Sequence, residues 1–327
     1  MNIRDQTSEI RDLKIVFMGT PDFAVASLDA LLRAGCNVVG VITAPDKPAG
    51  RGMQLQASAV KQFALLKGLR ILQPEKLKEP GFIEQLRSLN ADMQVVVAFR
   101  MLPEIVWNMP PMGTINVHAS LLPQYRGAAP INWAIINGEK ETGVTTFRLQ
   151  QQIDTGNILL QEKTPIGENE TAGELYDRLK ILGAALLVKT IEGIAEGSIH
   201  EKPQPVTDHS SLITDHSSLI IKHAPKIFTE TCRIDWNKNV EEIFNLIRGL
   251  SPWPGAFTYL DDKMFKIYSS VKEICAHDFG NGSVHTDKKS YLKFACADGF
   301  IHCTDVQLQG KKRMRIEDFL RGHKIDQ

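Results

Sequence analysis

The sequence predicts an α/β fold in which a domain built on a parallel sheet is followed by a small C-terminal β-barrel domain. Two observations lead to this prediction. Over residues 1–200, apolar runs of strand length alternate with amphipathic helical patterns, which is typical of a parallel sheet covered on both faces. After residue 221, short alternating strands with turn residues replace that pattern and favour a barrel.

The elements of the first domain, predicted to span residues 1–200, follow in order. The segment 13–18 reads as a buried strand that ends at Gly19, and an amphipathic helix then runs to Gly35. A long helix starts near Thr171, where Glu174 three residues later completes a capping box. Between these elements the patterns predict strands at 37–46, 69–74, 93–101, 114–120 and 143–156, helices at 60–68, 81–90 and 129–138, and a polar, glycine-rich loop at 46–56.

A polar segment, residues 201–221, is predicted to link the two domains. It holds a perfect tandem repeat, TDHSSLI, at Thr207–Ile213 and again at Thr214–Ile220. Adjacent Leu and Ile in each copy make no coiled-coil seam, so we interpret the repeat as a local duplication in a tolerant linker. The C-terminal domain, residues 222–327, is predicted to contain a helix at 240–250 and to end in a basic run, GKKRMR.

Composition argues against several classes of protein. The chain carries 38 Lys and Arg against 38 Asp and Glu, so its net charge indicates no partner. Its five cysteines are scattered without a CxxC pair, which argues against a disulfide framework or a metal site and favours a reducing, cytoplasmic location. No apolar run is long enough for a membrane helix. We expect a monomer, with no membrane contact and no protein partner.

Asn116 and His118 are the first candidate catalytic residues. Residues i and i+2 of a strand share a face, so this amide and this imidazole can converge on one carbonyl oxygen. Such a pair suits the oxyanion that develops in acyl transfer. The alternative is that Asn116 satisfies backbone groups and His118 is a packed core residue, and the pair taken alone favours this alternative.

Asp154, in the segment QIDTG, follows a later strand and lies where open α/β sheets place their sites. Its carboxylate could hold His118 charged or orient its tautomer, which favours catalysis, whereas the alternative is an Asx turn. No serine or cysteine stands in a nucleophile elbow, so covalent catalysis has little support. The early segment 19–22, GTPD, is either a tight turn with Asp22 as a helix cap or a ligand contact, since it is neither GxGxxG nor a P-loop.

Four motifs together resemble the folate-dependent formyltransferases. They are INVHASLLPQYRGAAPINWAI, IDTG after a strand, the early GTPDFA, and PAGRG. PAGRG, with RIDW and SPWPGA in the second domain, narrows the resemblance to the branch that acts on methionyl-tRNA. The resemblance covers nearly the whole chain. It implies a Rossmann-like N-terminal domain that binds 10-formyltetrahydrofolate, and a C-terminal barrel related to the oligonucleotide-binding fold.

The same resemblance implies a reaction and its residues. The formyl group of 10-formyltetrahydrofolate would pass, without a metal, to the amino group of initiator methionyl-tRNA. Asn116, His118 and Asp154 fall on the catalytic triad of the family. Folate contacts fall on Ser120, Leu121, Leu122 and Pro123 and on the segment Arg100, Met101 and Leu102, and tRNA contacts fall on the loop residues Gly50, Arg51 and Gly52.

Two departures from the family pattern concern the ligand pockets. VVAFRMLP is one residue shorter than the common VVAYGLILP and has Arg100 in place of the glycine. Pterin recognition in the family is mostly by backbone, so we expect the activity to survive this change. After GRG, Met53 and Gln54 stand where some relatives carry two lysines, which predicts a weaker grip on phosphate.

RNA binding by the second domain has weaker support in the sequence. The basic run with Lys311, Lys312 and Arg313, and Arg248 ahead of the Trp-Pro, could meet phosphates or could be a solvated face. Trp253 reads as a core residue rather than as a platform for stacking a base.

Three other functions stay open at this point. The chain could formylate a small amine, such as a nucleotide sugar, but the second barrel and PAGRG argue against that. It could hydrolyse formyl-folate, which would not need an RNA-binding domain. It could also bind RNA without catalysis, although the intact Asn116, His118 and Asp154 speak against a decayed enzyme.

Overall fold

The computed structural model describes residues 10–49, 54–205 and 220–323. The predicted tRNA contacts at Gly50, Arg51 and Gly52 therefore lie outside the described residues. So do the first copy of the repeat, Thr207–Ile213, and all of the second copy except its last residue, Ile220.

A seven-stranded sheet organises the first part of the chain, in the order β10-β9-β7-β6-β1-β2-β5. Five neighbouring strands are parallel: β1 pairs with β2 and β6, β6 with β7, and β2 with β5. The bounds of the seven strands are β1 Lys14–Gly19, β2 Asn37–Ile42, β5 Ile71–Leu72, β6 Met93–Val97, β7 Thr114–His118, β9 Glu141–Arg148 and β10 Ile158–Pro165. Two short strands, β8 Arg126–Gly127 and β11 His223–Ala224, belong to neither of the large sheets.

The prediction of an α/β fold is confirmed, but the sheet is mixed rather than wholly parallel. Strand β9 runs antiparallel to β7. A parallel neighbour requires a crossover that returns the chain over the sheet, usually by a helix. The segment between β7 and β9 contains one short helix, Pro130–Ile136.

Helices cover the sheet and follow the predicted pattern closely. The long helix begins after Thr171. The Thr171 hydroxyl accepts from the Glu174 backbone N–H at 3.3 Å, and the Thr171 backbone N–H donates to Oε2 of Glu174 at 2.8 Å. The predicted capping box is therefore confirmed. The short helix α4 was not predicted. The helices in this stretch of the chain are α1 Asp22–Arg33, α2 Ala59–Leu66, α3 Pro80–Ser88, α4 Glu104–Trp107, α5 Pro130–Ile136 and α6 Ala172–Ala195, of which α5 belongs to the second compact unit described below.

The turn after β1 is tight because backbone and side chains crowd Gly19. A β-carbon there would lie 2.5 Å from Cβ of Ala24. Pro21, not Asp22, is the N-cap of α1. Oδ2 of Asp22 instead accepts from Nζ of Lys180 at 2.6 Å, so the expectation that Asp22 caps the helix is wrong.

The loop after β2 contains two short antiparallel strands, β3 Lys47–Ala49 and β4 Gln54–Gln56. The sequence predicted only a loop, because three-residue strands leave no periodic pattern to detect. Residues 50–53, which include the GRG of PAGRG, lie outside the described residues.

A second, antiparallel sheet forms the C-terminal part, with strand order β12-β13-β16-β15-β14 and β17 paired to β16. Register shifts between Ile267 and Ser270 interrupt the β13–β16 ladder, and such bulges bend a strand. Among the described strands the pairing path is open between β12 and β14. The strands are β12 Ala256–Leu260, β13 Lys263–Ile274, β14 Val284–Thr286, β15 Leu292–Cys296, β16 Gly299–Leu308 and β17 Met314–Arg315.

Two helices complete this part, α7 Val240–Gly249 and α8 Ile316–Gly322. Asn239 and Glu242 form a capping box at the start of α7. The core beneath contains stacked and tilted aromatic rings, among them Phe265, Phe294 and Phe319. This half-barrel agrees with the small β-domain that the sequence predicts.

The chain divides into two compact units that are not continuous in sequence. The first comprises Met1–Arg126, Gly143–Thr164 and Asp177–Lys222, and the second comprises Gly127–Thr142, Pro165–Tyr176 and His223–Gln327. The division at 200 and 221 stays a prediction. No helix in the described ranges 10–49, 54–205 and 220–323 has the length and apolar character to cross a membrane.

Candidate active site

Strand β7 carries Asn116 and His118 at its C-terminal end, between β6 and β9. The two residues are i and i+2 on one strand and share a face of the sheet. Asn116 is half-buried, and its side-chain amide makes no hydrogen bond to the residues that the structure describes. An amide in this position is free to donate to a ligand.

The imidazole of His118 is buried, and its two nitrogens have different neighbours. Nε2 lies 2.9 Å from the backbone carbonyl oxygen of Tyr125. A carbonyl can only accept, so Nε2 carries a proton. Nδ1 lies 3.7 Å from Oδ2 of Asp154, beyond ordinary hydrogen-bond distance. The ring is also held edge-on against Phe147.

This geometry changes one part of the sequence interpretation. The sequence predicts that Asp154 either holds His118 charged or orients its tautomer. The Tyr125 carbonyl fixes the tautomer instead. Asp154 faces Nδ1, the nitrogen that has no carbonyl partner, so a charged His118 would present its Nδ1–H towards the carboxylate.

Asp154 lies in the loop between β9 and β10, with φ of 54°. Asp tolerates this left-handed conformation better than most residues. The loop closes tightly, because a β-carbon on Gly156 would lie 1.7 Å from the carbonyl oxygen of Arg148. Glycine at 156 is therefore required for this path of the chain.

A buried amide on another segment holds the same loop. Nε2 of Gln204 donates to the carbonyl oxygens of Asp154 at 3.0 Å and Gly156 at 2.7 Å. Its Oε1 accepts from Nε and Nη2 of Arg126 at 3.1 and 2.6 Å. Burial lowers the pKa of the Arg126 guanidinium, and the charge of Asp154 opposes that shift.

Sequence reasoning missed Gln204 and Arg126. Gln204 was assigned to the linker, and it bonds to backbone atoms about fifty positions away along the chain, for which no local pattern exists. Arg126 stands inside the quoted YRGAAP motif, so that motif could have drawn attention to it.

The predicted folate turn, Ser120–Pro123, follows β7 directly. Oγ of Ser120 donates to the Gln124 carbonyl at 2.6 Å, and the Leu122 N–H donates to Oγ1 of Thr145 at 3.1 Å. Leu122 is buried in the sheet core. The turn is thus rigidly held close to β7, and its assignment to folate stays a prediction.

The segment Arg100–Leu102 has three different environments. The guanidinium of Arg100 donates to the carbonyl oxygens of Glu75, at 2.7 Å, and Pro74. Leu102 is buried in the core, whereas Met101 is 72% exposed. Arg100 therefore ties this shortened segment to the chain after β5.

The predicted basic contacts in the second unit are unequal. Lys311 and Lys312 are exposed. Arg313 donates to Oδ2 of Asp305 at 2.6 Å and lies over the Tyr268 ring, so its charge is already paired. Arg248 is buried, with its guanidinium directed to the Glu170 carbonyl at 3.0 Å, and it is unavailable to phosphates.

Trp253 contradicts its sequence interpretation. It is 80% exposed, not a core residue. With the exposed ring of Phe228 and with Lys226 and Lys266 it lines a cavity of about 520 Å³ in the second unit. The Nζ of Lys226 lies 5.6 Å from the Phe228 ring centre.

Two family models match the chain. The formyl transferase model matches residues 13–191, and the model of the formyl transferase C-terminal domain matches residues 226–324. Together they cover both sheets.

Curated relatives match over nearly their full length. A methionyl-tRNA formyltransferase of Parabacteroides distasonis is 55% identical over 321 residues, covering 96% of each chain. One from Phocaeicola vulgatus is 56% identical over 322 residues, covering 97% of each.

Solved structures share the fold at low sequence identity. WlaRD, a sugar 3N-formyltransferase crystallised with dTDP and 5-N-formyl-THF, has a TM-score of 0.61 at 22% identity, covering 92% of this chain and 99% of that one. HypX from Aquifex aeolicus, in complex with tetrahydrofolic acid, has a TM-score of 0.62 at 17% identity, covering 96% of this chain and 48% of that one. With both family models and these full-length relatives, the chain belongs to the formyl transferase family and, within it, to the methionyl-tRNA formyltransferases.

Proposed function

We propose that the chain transfers the formyl group of 10-formyltetrahydrofolate to the α-amino group of initiator methionyl-tRNA, with Asn116, His118 and Asp154 as its catalytic residues. The observation that carries this assignment is an Asn116 amide with no hydrogen-bond partner among the described residues, on the same strand face as a His118 ring whose Nδ1 faces Asp154. Hydrogen-bond donors beside a carboxylate suit amine attack on a formyl carbon.

The role of each donor follows from the geometry at β7. Asn116 donates from its amide to the formyl oxygen as that oxygen becomes an oxyanion. His118 donates from Nδ1 when it is protonated, because its Nε2–H is already held by Tyr125. One such donor contributes about 3 kcal/mol to transition-state stabilisation.

Asp154 serves as the proton acceptor. The attacking amine loses one proton as the C–N bond forms, and the departing folate nitrogen gains one as its bond to the formyl carbon breaks. The 3.7 Å separation between Oδ2 of Asp154 and Nδ1 of His118 suits relay through a water molecule or a substrate atom better than a direct bond. The same network can return the proton to the leaving nitrogen.

The residues of the 100–102 and 120–123 segments form the proposed folate site. The fixed turn at Ser120–Pro123 supports this assignment because a pocket that reads a ligand by backbone must itself be rigid. Arg100 contributes by fastening its segment to Pro74 and Glu75 rather than by contacting the ligand. Met101 is exposed, so its side chain is accessible to a ligand.

We assign the RNA contact of the second unit to the cavity beside Trp253, together with Lys311 and Lys312. Exposed aromatic rings with lysines are the combination that binds unpaired bases and phosphates, and stacking contributes about 1–3 kcal/mol per base. We further propose a cytoplasmic monomer. The cytoplasmic location is supported by five cysteines that are all free thiols.

The test is to incubate the protein with 10-formyltetrahydrofolate carrying a labelled formyl group and with charged initiator tRNA. We expect the label on the methionyl amino group. Label released as formate would support a hydrolase, transfer to an amino sugar or ribonucleotide would support a small-amine enzyme, and no turnover would support a non-catalytic RNA-binding protein. Each of these three outcomes overturns the proposal.

The contact near Trp253 needs a separate experiment. Trp253→Ala should raise the KM for tRNA about tenfold and leave the KM for formyl-folate unchanged, since a stacking platform acts on RNA alone. Trp236→Ala is not a suitable control, because that ring stacks on Phe294 in the core. Tyr259→Ala, another exposed ring of the same unit, is the matched control. An unchanged KM for tRNA in Trp253→Ala would remove the cavity from the RNA site.

A further inference from the structure

Gln204 occupies a position that its sequence context does not suggest. It follows the last helix of the first unit and is nevertheless buried. Its amide group uses both its donor and its acceptor sides, and the two carbonyl oxygens that it binds flank Thr155, in the loop that carries Asp154.

Residues 201–204 run along this loop and bind it at several points, and we call them the strap. The backbone of Lys202 pairs with Ile158 in both directions, each bond 2.8 Å. The Glu201 carboxylate accepts from Nε of Arg148 at 2.9 Å and from Nδ2 of Asn157 at 3.0 Å. The strap therefore holds both stems of the loop, and Gln204 is the member that reaches Asp154 itself.

Arg126 determines the orientation of Gln204. An amide can be turned so that either its oxygen or its nitrogen faces a given neighbour. Two guanidinium N–H groups meet Oε1, so Nε2 must face the carbonyl oxygens of Asp154 and Gly156. The buried cation thus selects the orientation in which both donor hydrogens hold the loop.

We propose that Gln204 is a positioning residue for the reaction, oriented by Arg126, and that it sets the placement of Asp154 relative to Nδ1 of His118. The inference rests on the proposed function. Gln204 touches no reacting atom in this scheme. It acts by fixing the backbone on both sides of Thr155, and with it a residue in the left-handed region whose carboxylate lies 3.7 Å from the ring.

Gln204→Met is the first test, since Met is close to Gln in length and has no amide donor. We expect kcat to fall about tenfold or more, with the KM for formyl-folate within about threefold of wild type, because positioning acts on the transition state. The pH profile of kcat should also change, since it reports the groups that exchange protons. Gln204→Glu, which keeps an acceptor for Arg126 but sets a carboxylate against the two carbonyl oxygens, should be at least as impaired.

Gln94→Met is the matched control. Gln94 is 1% exposed, and its Oε1 accepts from the Thr114 hydroxyl at 3.2 Å, at the opposite end of the strands from Asn116 and His118. This variant loses a buried side-chain amide and its hydrogen bond in the same unit. It should lower the melting temperature while leaving kcat and its pH profile at wild-type values.

A second readout separates this proposal from the proposed function. The ring-nitrogen NMR signals of His118 in the substrate-free protein should differ from wild type in Gln204→Met and match wild type in Gln94→Met. Wild-type protein that fails to transfer formyl overturns the function but leaves this measurement intact. Gln204→Met with wild-type kcat and wild-type His118 signals overturns the positioning role, even if the function stands.

Discussion

His118 shows how one strand position can serve two purposes. Its Nε2 is committed to the Tyr125 carbonyl, which fixes the ring and its tautomer. Its Nδ1 is left for chemistry beside Asp154. The two alternatives that the sequence left open, a packed core histidine and a catalytic one, are therefore not exclusive, because the packing of one nitrogen orients the other.

Replacing His118 by Ala should lower turnover by about a hundredfold or more, the loss expected for one oxyanion donor of about 3 kcal/mol. Folate binding should stay nearly intact, because the donor is needed chiefly in the transition state. Steady-state kinetics and folate titration by fluorescence measure the two effects. Turnover within about threefold of wild type would show that His118 is not the donor.

Glu273 forms a cross-strand cluster in the second unit with Lys293, 2.7 Å away, and His302. The hydrogen bond from Lys293, then that from His302, lowers the pKa of the Glu273 carboxyl from 4.5 to about 2. A carboxyl whose pKa is lower in the folded state contributes stability above its unfolded pKa and loses it as the pH falls through the folded value.

We expect Glu273→Gln to be less stable than wild type at pH 7, with the difference shrinking as the pH falls from about 4.5 towards 2. Because the carboxylate is more than one third exposed, the effect should be modest. Urea unfolding at a series of pH values measures it. A difference that is constant from pH 7 to pH 2.5 would mean that the ion cluster contributes nothing.

The connecting segment is held at both of its described ends by the first unit. Its start is the strap at residues 201–204. At its far end, Nε2 of Gln124 donates to the Ile220 carbonyl at 3.1 Å, and the Tyr125 N–H donates to the Lys222 carbonyl at 2.6 Å. The start thus braces the Asp154 loop, and the far end braces the turn whose carbonyl holds His118. Both flanks of the predicted linker are structural parts of the first unit.

Deleting Thr214–Ile220 should leave melting temperature and formylation close to wild type. Because the two copies are identical, the deletion brings Ile213 to the position of Ile220, so the carbonyl that binds Gln124 is restored. Halving a loop changes its closure free energy by only about 0.6 kcal/mol. Thermal unfolding and the formylation assay test this, and a fall of several degrees would show that the second copy packs against a domain.

Most helices and buried strands were predictable because each has its own periodic signal. Strand β10, Ile158–Pro165, was missed because its second half, QEKTP, has no apolar residues to alternate with the polar ones. The antiparallel direction of β9 was also unpredictable, since no local pattern in Glu141–Arg148 determines which way the strand runs beside β7.

At the scale of the molecule, the grouping of Asn116, His118 and Asp154 was predictable from the family resemblance and from strand periodicity, whereas the residues that hold them in place were not. Tyr125 acts through its backbone carbonyl, which any residue type could supply. Gln204 binds carbonyl oxygens that lie about fifty positions away along the chain. Trp253 was misread because aromatic residues are usually buried, and only the fold shows that its ring is exposed.

Arg51→Ala should lower kcat/KM for tRNA. The loss of transition-state stabilisation should be about 1–3 kcal/mol, the size of one good bidentate contact. The prediction comes from sequence alone, because Arg51 lies outside the described residues. Its planar fork suits phosphates and base edges, and Gly50 and Gly52 on either side leave room for an approaching ligand. Folate affinity should not change. If this variant formylates tRNA like the wild type, Arg51 is not a tRNA contact, and tRNA recognition must be assigned to the second unit.

The fastening of the connector on both sides of the repeat has a consequence for evolution. Changes in copy number alter neither the strap at 201–204 nor the bonds of Gln124 and Tyr125 to residues 220 and 222, so selection on catalysis cannot distinguish one, two or three copies. The number of copies should therefore vary between related sequences. Gln204, just before the first copy, and Gln124, which binds the carbonyl of residue 220, should instead stay under constraint.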